Sequence, residues 1–380
     1  MKIIVDESIP YGAEAFGLLG DVSLMPGRAI TPDTLRDADA LIIRTITKVD
    51  DALLEGTSVQ FVGTCTIGED HVDLDAMARR GVAFSSAPGC NSNSVAEYMT
   101  SALLTLHERG VLTLEGQTLG VVGYGNVGTK VAAKARMLGM NVVLCDPPLA
   151  EAQGGGVFQP MSDILDCDVI TLHVPLTHEG PHATHHLMSA ENLACLKPGC
   201  VLFNSSRGPV IDNAALLAAL EAGQLATAVL DVWEFEPRLN PALVDRCALA
   251  TQHIAGYSLD GKLNATQQIY EAACRHFGLT PDWRAEQVDE HPPIDSITVG
   301  GGYWDALRAA VRLNYDIRDD DQLVRDSMGL PAEERGPAFD NLRKKYRRRF
   351  EFRHTTVTVE PADARTEKTL AELGFRVYHA

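Results

Sequence analysis

The chain lacks a positive excess. Its 33 Lys and Arg face 51 Asp and Glu, a formal net charge of −18. A field of that sign repels nucleic acid and anionic membranes, so neither is expected as a partner. A small anionic substrate stays open, because a local cluster of Arg can override the global field. No apolar run reaches the roughly 20 residues that span a bilayer. The first ten residues put Asp6 and Glu7 straight after a short apolar run, which is not the pattern of a signal peptide. The eight cysteines include no Cys-x-x-Cys. Cys145, Cys167, Cys195 and Cys200 lie in or near apolar segments and are expected as small core residues, in a reduced cytosol. Internal repeats and low-complexity segments are also missing.

What is present is a soluble globular composition, 45 % hydrophobic over 380 residues. That length implies two or three domains. Short apolar runs at Ile3–Val5, Leu41–Ile43, Val59–Val62 and Val82–Phe84 predict strands. Between them, Thr31–Asp39, Asp50–Leu54 and Asp70–Arg80 open on helix-starting residues. Such alternation implies a parallel, doubly wound α/β sheet. A long helix is predicted over Ser92–Arg109. A second series then follows. Its predicted strands are Thr118–Val122, Asn141–Cys145, Val169–Val174, Cys200–Asn204, Thr227–Val232 and Leu249–Ala250. Its predicted helices are Asn126–Leu138, Ser189–Leu196, Asp212–Glu221 and Leu263–Phe277. Thr280 to Gly302 is rich in Pro, Gly and acids and reads as a linker. Beyond it, helices at Tyr303–Leu313 and Glu367–Leu373 and strands at Thr355–Val359 and Phe375–Tyr378 make a small α/β tail.

One turn carries nucleotide chemistry. Gly123-Tyr-Gly125-Asn-Val-Gly128 sits where a strand hands over to a helix. The first glycine permits the tight turn, the second lets a pyrophosphate approach the backbone, and the third lets helix pack on strand. The N–H groups of Asn126 and Val127 would meet the phosphate. Asp146 follows at the end of the next strand, where a carboxylate accepts from ribose hydroxyls and repels a 2′-phosphate. That favours NAD over NADP. A purely local role for Asp146, capping the loop at Pro147-Pro148, is the alternative.

Three further side chains follow strand ends in order. Arg207 lies in Asn204-Ser-Ser-Arg-Gly, Glu236 in Asp231-Val-Trp-Glu-Phe-Glu-Pro, and His253 in Thr251-Gln-His-Ile-Ala-Gly256. A guanidinium binds a carboxylate bidentately and polarises the neighbouring oxygen. A His beside a carboxylate has a fixed tautomer and can take a hydroxyl proton as hydride leaves. Taken singly, each could be an ordinary surface or loop residue.

The ordered set resembles the D-2-hydroxyacid dehydrogenase family over about residues 1–278. The resemblance implies two Rossmann-like domains with NAD in the cleft between them, and Arg207, Glu236 and His253 as the catalytic residues. It implies a cofactor set of Gly123, Gly125, Asn126, Val127, Gly128, Asp146, Val174, Pro175, Ser206, Arg207, Gly208, Asp231 and Gly256. Asp231 and Gly256 would line the nicotinamide. Many relatives carry Pro before the catalytic His. Gln252 stands there here, which implies a less rigid loop.

Further segments resemble one branch of that family, which acts on a phosphorylated hydroxy acid. They are Arg44-Thr-Ile-Thr-Lys48, Gly63-Thr-Cys-Thr-Ile-Gly68, Ala87-Pro-Gly-Cys-Asn91 and Gly256-Tyr-Ser-Leu-Asp-Gly-Lys262, with the tail after Gly278. The branch implies a substrate-binding lid domain at 1–95 and 257–280, an NAD-binding domain at 96–256, and a dimerisation domain at 281–380 that makes a homodimer. Arg44, Thr45, Thr66 and Tyr257 would bind substrate, with Arg44 and Lys48 the cations nearest its phosphate. Other readings stay open: a 3-phosphoglycerate type of dehydrogenase, or an NAD-sensing, partner-binding protein.

Two clusters remain. His178, His182, His185 and His186 crowd one loop. No Cys or carboxylate pattern completes a metal site, so no metal is expected. Arg343, Lys344, Lys345, Arg347, Arg348 and Arg349 form a basic run, expected as a solvated helix face. Alternatively, one of these arginines reaches a partner subunit's site and meets substrate phosphate.

Overall fold

The computed structural model describes residues 1–378. The chain divides into two compact units, Met1–Asn91 with Ser258–His291, and Ser92–Tyr257 with Pro292–Ala380.

In the first unit five parallel strands form one sheet. They are β1 (Lys2–Asp6), β2 (Asp21–Met25), β3 (Ala40–Ile43), β4 (Phe61–Thr64) and β5 (Ala83–Ser85), in the order β2-β1-β3-β4-β5. β3 and β4 are buried along their whole length, as parallel strands covered on both faces are. β2 lies outside the sequence-based expectations because it is an edge strand with three of five residues exposed, so no apolar run announces it. Asp50 and Asp73 cap the helices Asp51–Leu54 and Leu74–Arg80, accepting from Leu53 N and Ala76 N. The helix Leu259–Phe277 returns to this unit, with Ser258 as its cap. Its Ile269 packs so close to Gly63 that a Cβ there would lie 2.3 Å from the isoleucine methyl.

The second unit holds β6 (Thr118–Val122), β7 (Asn141–Cys145), β8 (Val169–Leu172), β9 (Cys200–Asn204), β10 (Leu225–Leu230) and β11 (Leu249–Ala250). All are parallel, in the order β11-β10-β9-β8-β6-β7. The order reverses beside β6, the switch point where doubly wound sheets bind nucleotides. The tail adds a separate parallel sheet of β12 (Ser296–Val299), β13 (Thr356–Val359) and β14 (Arg376–Tyr378).

The tail does not build a core of its own. Leu307, Val311, Tyr315, Phe352 and Leu370 share one apolar cluster with Val95, Leu119, Val121 and Val131. Val324, Met328 and Phe339 share another with Trp233 and Leu239. This is why residues from Pro292 onward fall in one compact unit with the six-stranded sheet.

Several expectations change. β12 lies inside the stretch read as a linker. The helices Ile317–Met328 and Ala332–Lys344 were not expected. The first is crowded with charge, and the second carries Gly336 and Pro337 in its interior, so local propensity argues against both. Cys145, Cys167 and Cys200 are buried as expected, but Cys195 is exposed, at the end of a short helix.

Candidate active site

The glycine turn follows β6. Gly123 holds φ +88°, and a Cβ there would lie 2.5 Å from the His173 carbonyl oxygen. A Cβ at Gly128 would lie 2.0 Å from the Gly123 carbonyl oxygen. Both positions exclude any side chain. A Cβ at Gly125, by contrast, would meet nothing within 4 Å. No side chain caps the helix Asn126–Met137, which starts there. Open space over uncapped N–H groups suits a pyrophosphate. Asp146 accepts from Tyr124 N at 2.7 Å with one oxygen and caps the helix Pro147–Gln153 through Leu149 N at 3.0 Å with the other. The capping alternative is therefore realised, and the same carboxylate also ties the turn to the end of β7. Val174 adjoins the turn, its methyl 3.0 Å from a Cβ built on Gly123.

The loop after β9 is shaped by Asn204. Its Oδ1 accepts from Ser206 N at 3.0 Å and Ser206 Oγ at 2.8 Å, and its Nδ2 donates to Arg207 O at 2.9 Å. Arg207 is half-buried and donates from Nη1 to Ser206 O at 2.9 Å. Gly208 touches the next loop, since a Cβ there would lie 1.9 Å from the Trp233 carbonyl oxygen.

The loops after β10 and β11 bring Glu236 and His253 together. His253 Nδ1 lies 2.9 Å from Glu236 Oε2. Glu236 Oε1 accepts from Trp233 N at 2.9 Å. Burial alone would raise the Glu236 carboxyl. The charge and hydrogen bond of His253, the Trp233 N–H and the Arg343 charge outweigh it and hold the carboxyl below its ordinary value. With Nδ1 donating to a carboxylate, Nε2 carries the lone pair. Arg207 shares the same sheet edge as this pair, because β9, β10 and β11 are neighbours.

His253 holds φ +58°, a left-handed conformation that few non-glycine residues adopt. Asp231 holds it there. Its carbonyl accepts from His253 N at 2.7 Å. Its carboxylate accepts from Thr251 Oγ1 at 2.6 Å, Ile254 N at 2.8 Å and Ala255 N at 2.9 Å. Tyr98 Oη lies 2.8 Å from Thr251 Oγ1, and Trp233 Nε1 donates to Thr251 O at 2.9 Å. Gln252 is fully buried and reaches Asp320 of the tail at 3.5 Å. The expectation of a loose loop fails, because these bonds replace the stiffness a proline would give. Both carboxylate oxygens of Asp231 serve the loop, a task its motif did not announce.

In the first unit, half-buried Arg44 follows β3 directly, its Nη1 3.5 Å from Ser8 Oγ. Thr45 is exposed beside it. Lys48 is mostly exposed and paired with Asp50 at 3.1 Å. Thr66 Oγ1 lies 2.7 Å from Thr64 Oγ1 and donates to Gly68 O at 3.2 Å. Tyr257, half-buried in the second unit, stacks edge-on against Tyr346.

The remaining clusters differ from expectation. Glu234, far off in sequence, meets the histidine loop: His186 Nε2 lies 2.6 Å from Glu234 Oε1, and His185 completes a trio with ligand atoms within 4.8 Å of one another. Sequence reasoning found no carboxylate for this loop because it lies 48 residues away. Glu234 also accepts from Asn213 N at 3.0 Å, so both its oxygens already bind loop to helix. The basic run is only in part a solvated helix face: Lys344, Lys345, Arg347 and Arg348 are exposed, but Arg343 is half-buried and Arg349 buried. Its helix ends at Lys344, Arg347 pairs with buried Asp320 at 2.6 Å, and buried Arg349 donates to Ser94 O and Ala255 O.

The chain's likenesses agree with this geometry. The family described as D-isomer specific 2-hydroxyacid dehydrogenase, NAD binding domain, matches residues 95–255, and a domain of unknown function matches residues 290–374. The erythronate-4-phosphate dehydrogenase of Cronobacter sakazakii is 45 % identical over 100 % of this chain and 99 % of its own. That of Marinobacter nauticus is 44 % identical over 99 % of this chain and 100 % of its own. The chain belongs to the erythronate-4-phosphate dehydrogenase family. Members are NAD-dependent D-2-hydroxyacid dehydrogenases, and the Rossmann-type α/β fold and NAD as cofactor follow for this chain. Among solved structures, the D-lactate dehydrogenase of Aquifex aeolicus in complex with NAD and lactic acid is similar at 25 % identity, with a TM-score of 0.61. The likeness covers 73 % of this chain and 96 % of that one. The TT0316 protein of Thermus thermophilus is similar at 27 % identity and a TM-score of 0.61, over 74 % and 98 %. Among the described residues no helix is long and apolar enough to cross a membrane.

Proposed function

We propose that the chain oxidises 4-phospho-D-erythronate at its 2-hydroxyl to 2-oxo-3-hydroxy-4-phosphobutanoate, an intermediate toward pyridoxal phosphate. The hydrogen bond between His253 and Glu236 carries this reading, because it leaves Nε2 free as the base. NAD, held at the turn Gly123–Gly128, would supply the acceptor for the hydride leaving C2. His253 takes the hydroxyl proton as the C–O double bond forms and returns it in reverse. Glu236 fixes the tautomer and stabilises the imidazolium. Arg207 holds the C1 carboxylate and polarises the C2 oxygen.

The cofactor cradle comprises the turn Gly123–Gly128, Asp146 at the ribose, Val174 and Pro175, the loop Ser206–Gly208, and Asp231 with Gly256 beside the nicotinamide. Arg44, Thr45, Thr66 and Tyr257 contact the substrate. Arg44 suits its phosphate better than Lys48, which is already paired with Asp50. The domains follow as a substrate-binding lid (1–95 and 257–280), an NAD-binding domain (96–256) and a tail (281–380) that joins two cytoplasmic copies into a homodimer.

The test is a turnover assay with 4-phosphoerythronate, 3-phosphoglycerate and glycerate, with and without an added 2-oxoacid in case bound NADH is retained. The first acid should give the highest kcat/KM. A preference for 3-phosphoglycerate would replace the substrate. Failure on all three despite bound NAD would favour a sensor.

A further inference from the structure

The helix Ala332–Lys344 lies along the Glu236 loop. A Cβ on its Gly336 would sit 3.6 Å from Pro237 Cγ. Residues seven apart share one helix face, so Arg343 follows Gly336 on that face two turns later. There its Nη2 donates to Tyr257 Oη at 3.3 Å, and its guanidinium carbon lies 5.9 Å from the Tyr257 ring centre. Its Nε is buried without a hydrogen-bond partner. Among the described residues no carboxylate makes an ion pair with Arg343, although its charge reaches Glu236 and Asp231. Its neighbours are placed differently. Arg347 is held by Asp320, and Lys344 and Lys345 are exposed. Arg349 also keeps Nε and Nη1 without partners, but it is buried, with Nη2 donating to two carbonyls and the guanidinium over the Tyr315 ring.

A half-buried guanidinium with an unspent donor and no carboxylate is costly unless an anion completes it. Among the described residues its neutral compensation is one tyrosine hydroxyl and its ring, in a chain where acids outnumber bases. We infer that Arg343 is an anion-binding residue of the hydroxy-acid site in its own subunit, taking a phosphate oxygen of the substrate beside Tyr257. This rests on the proposed function, in which Arg207 already holds the carboxylate. The tail would then supply part of the specificity for phosphorylated acids.

The test compares Arg343→Gln, Arg343→Lys and, as a control on an exposed neighbour, Lys344→Gln. Each is assayed on 4-phospho-D-erythronate and on unphosphorylated D-erythronate, with inorganic phosphate as competitive inhibitor. A charge-assisted hydrogen bond is worth about 1.5–3 kcal/mol, roughly tenfold to a hundredfold. Arg343→Gln should raise KM for the phosphorylated acid and Ki for phosphate by that factor. It should leave kcat/KM for D-erythronate within about threefold of the parent enzyme's, with NAD affinity and Tm kept. Arg343→Lys should recover part of the loss, and Lys344→Gln should change neither. Equal losses on both acids, or a fall in kcat with KM and the phosphate Ki unchanged, would overturn the inference. So would an unchanged phosphate Ki in Arg343→Lys, should the glutamine variant not fold. Inactivity of the parent enzyme on 4-phosphoerythronate would instead sink the proposed function, and the two failures are thereby distinct.

Discussion

The loops that leave β3 and β4 in the first unit and those that leave β9, β10 and β11 in the second both carry polar groups at strand ends. They are held very differently. Around His253, five backbone or side-chain donors converge on Asp231 and Thr251, and Gln252 is anchored to Asp320. Around Arg44 the guanidinium finds one serine hydroxyl at 3.5 Å, and Thr45 stands exposed. On the proposed roles, the contrast would separate two tasks. Proton transfer needs a ring fixed to a fraction of an ångström, which an over-determined loop holding a left-handed histidine would supply. Substrate recognition would leave Arg44 uncommitted until an anion arrives.

Substitutions on the two sides should therefore fail in different ways. The largest effect belongs to His253→Ala, which should lower kcat by ~10²–10⁴-fold while NAD affinity stays within error. Retained kcat would remove His253 from the chemistry. Next, Asp231→Ala strands two buried backbone N–H groups and the Thr251 hydroxyl. Urea unfolding should show a loss of roughly 3 kcal/mol or more, together with a fall in kcat. Intact stability would mean that the loop does not depend on this carboxylate.

Smaller still, Arg44→Gln should raise KM up to about fivefold with kcat and stability unchanged, as befits a partly exposed charge. A large loss of stability would show that the first unit's loop is braced after all. A separate, pH-dependent effect lies in the scaffold of the second unit. Burial and the charge of Glu351 push the Glu97 carboxyl up to about 8, against the opposing pull of Lys134. A folded value above the unfolded one favours the protonated form. Its stabilisation is complete below about 4.5 and is lost as pH rises through about 8. Glu97→Gln keeps the acceptor for Phe352 N and cannot ionise. Its Tm should fall less than the parent's between those limits. Parallel Tm curves would contradict the assignment.

How far the sequence reveals this arrangement depends on how local each feature is. The turn at Gly123–Gly128 is legible because close backbone approach demands glycine at fixed spacing. Arg207, Glu236 and His253 are legible because each follows a predicted strand. The helix caps at Asp50, Asp73, Ser189 and Asp212 lie within the stretches read as helical. What escapes is long-range. Asp320 meets Gln252 across 68 residues, and Arg343 meets Tyr257 across 86. Glu234 reaches His186 through a fold contact that no spacing encodes. The basic run misled for the same reason. Charge patterning describes a helix face, but Arg343, Arg347 and Arg349 find partners that only the fold supplies.

The most direct measurement follows the hydrogen itself. One turnover of C2-deuterated 4-phospho-D-erythronate, with a 2-oxoacid withheld, should place the deuterium at nicotinamide C4, read by mass spectrometry of the reduced cofactor. His253→Ala should slow that transfer without redirecting it. Deuterium released to solvent, or reduced cofactor formed without label, would contradict hydride transfer from C2 and with it the roles given to Arg207, Glu236 and His253.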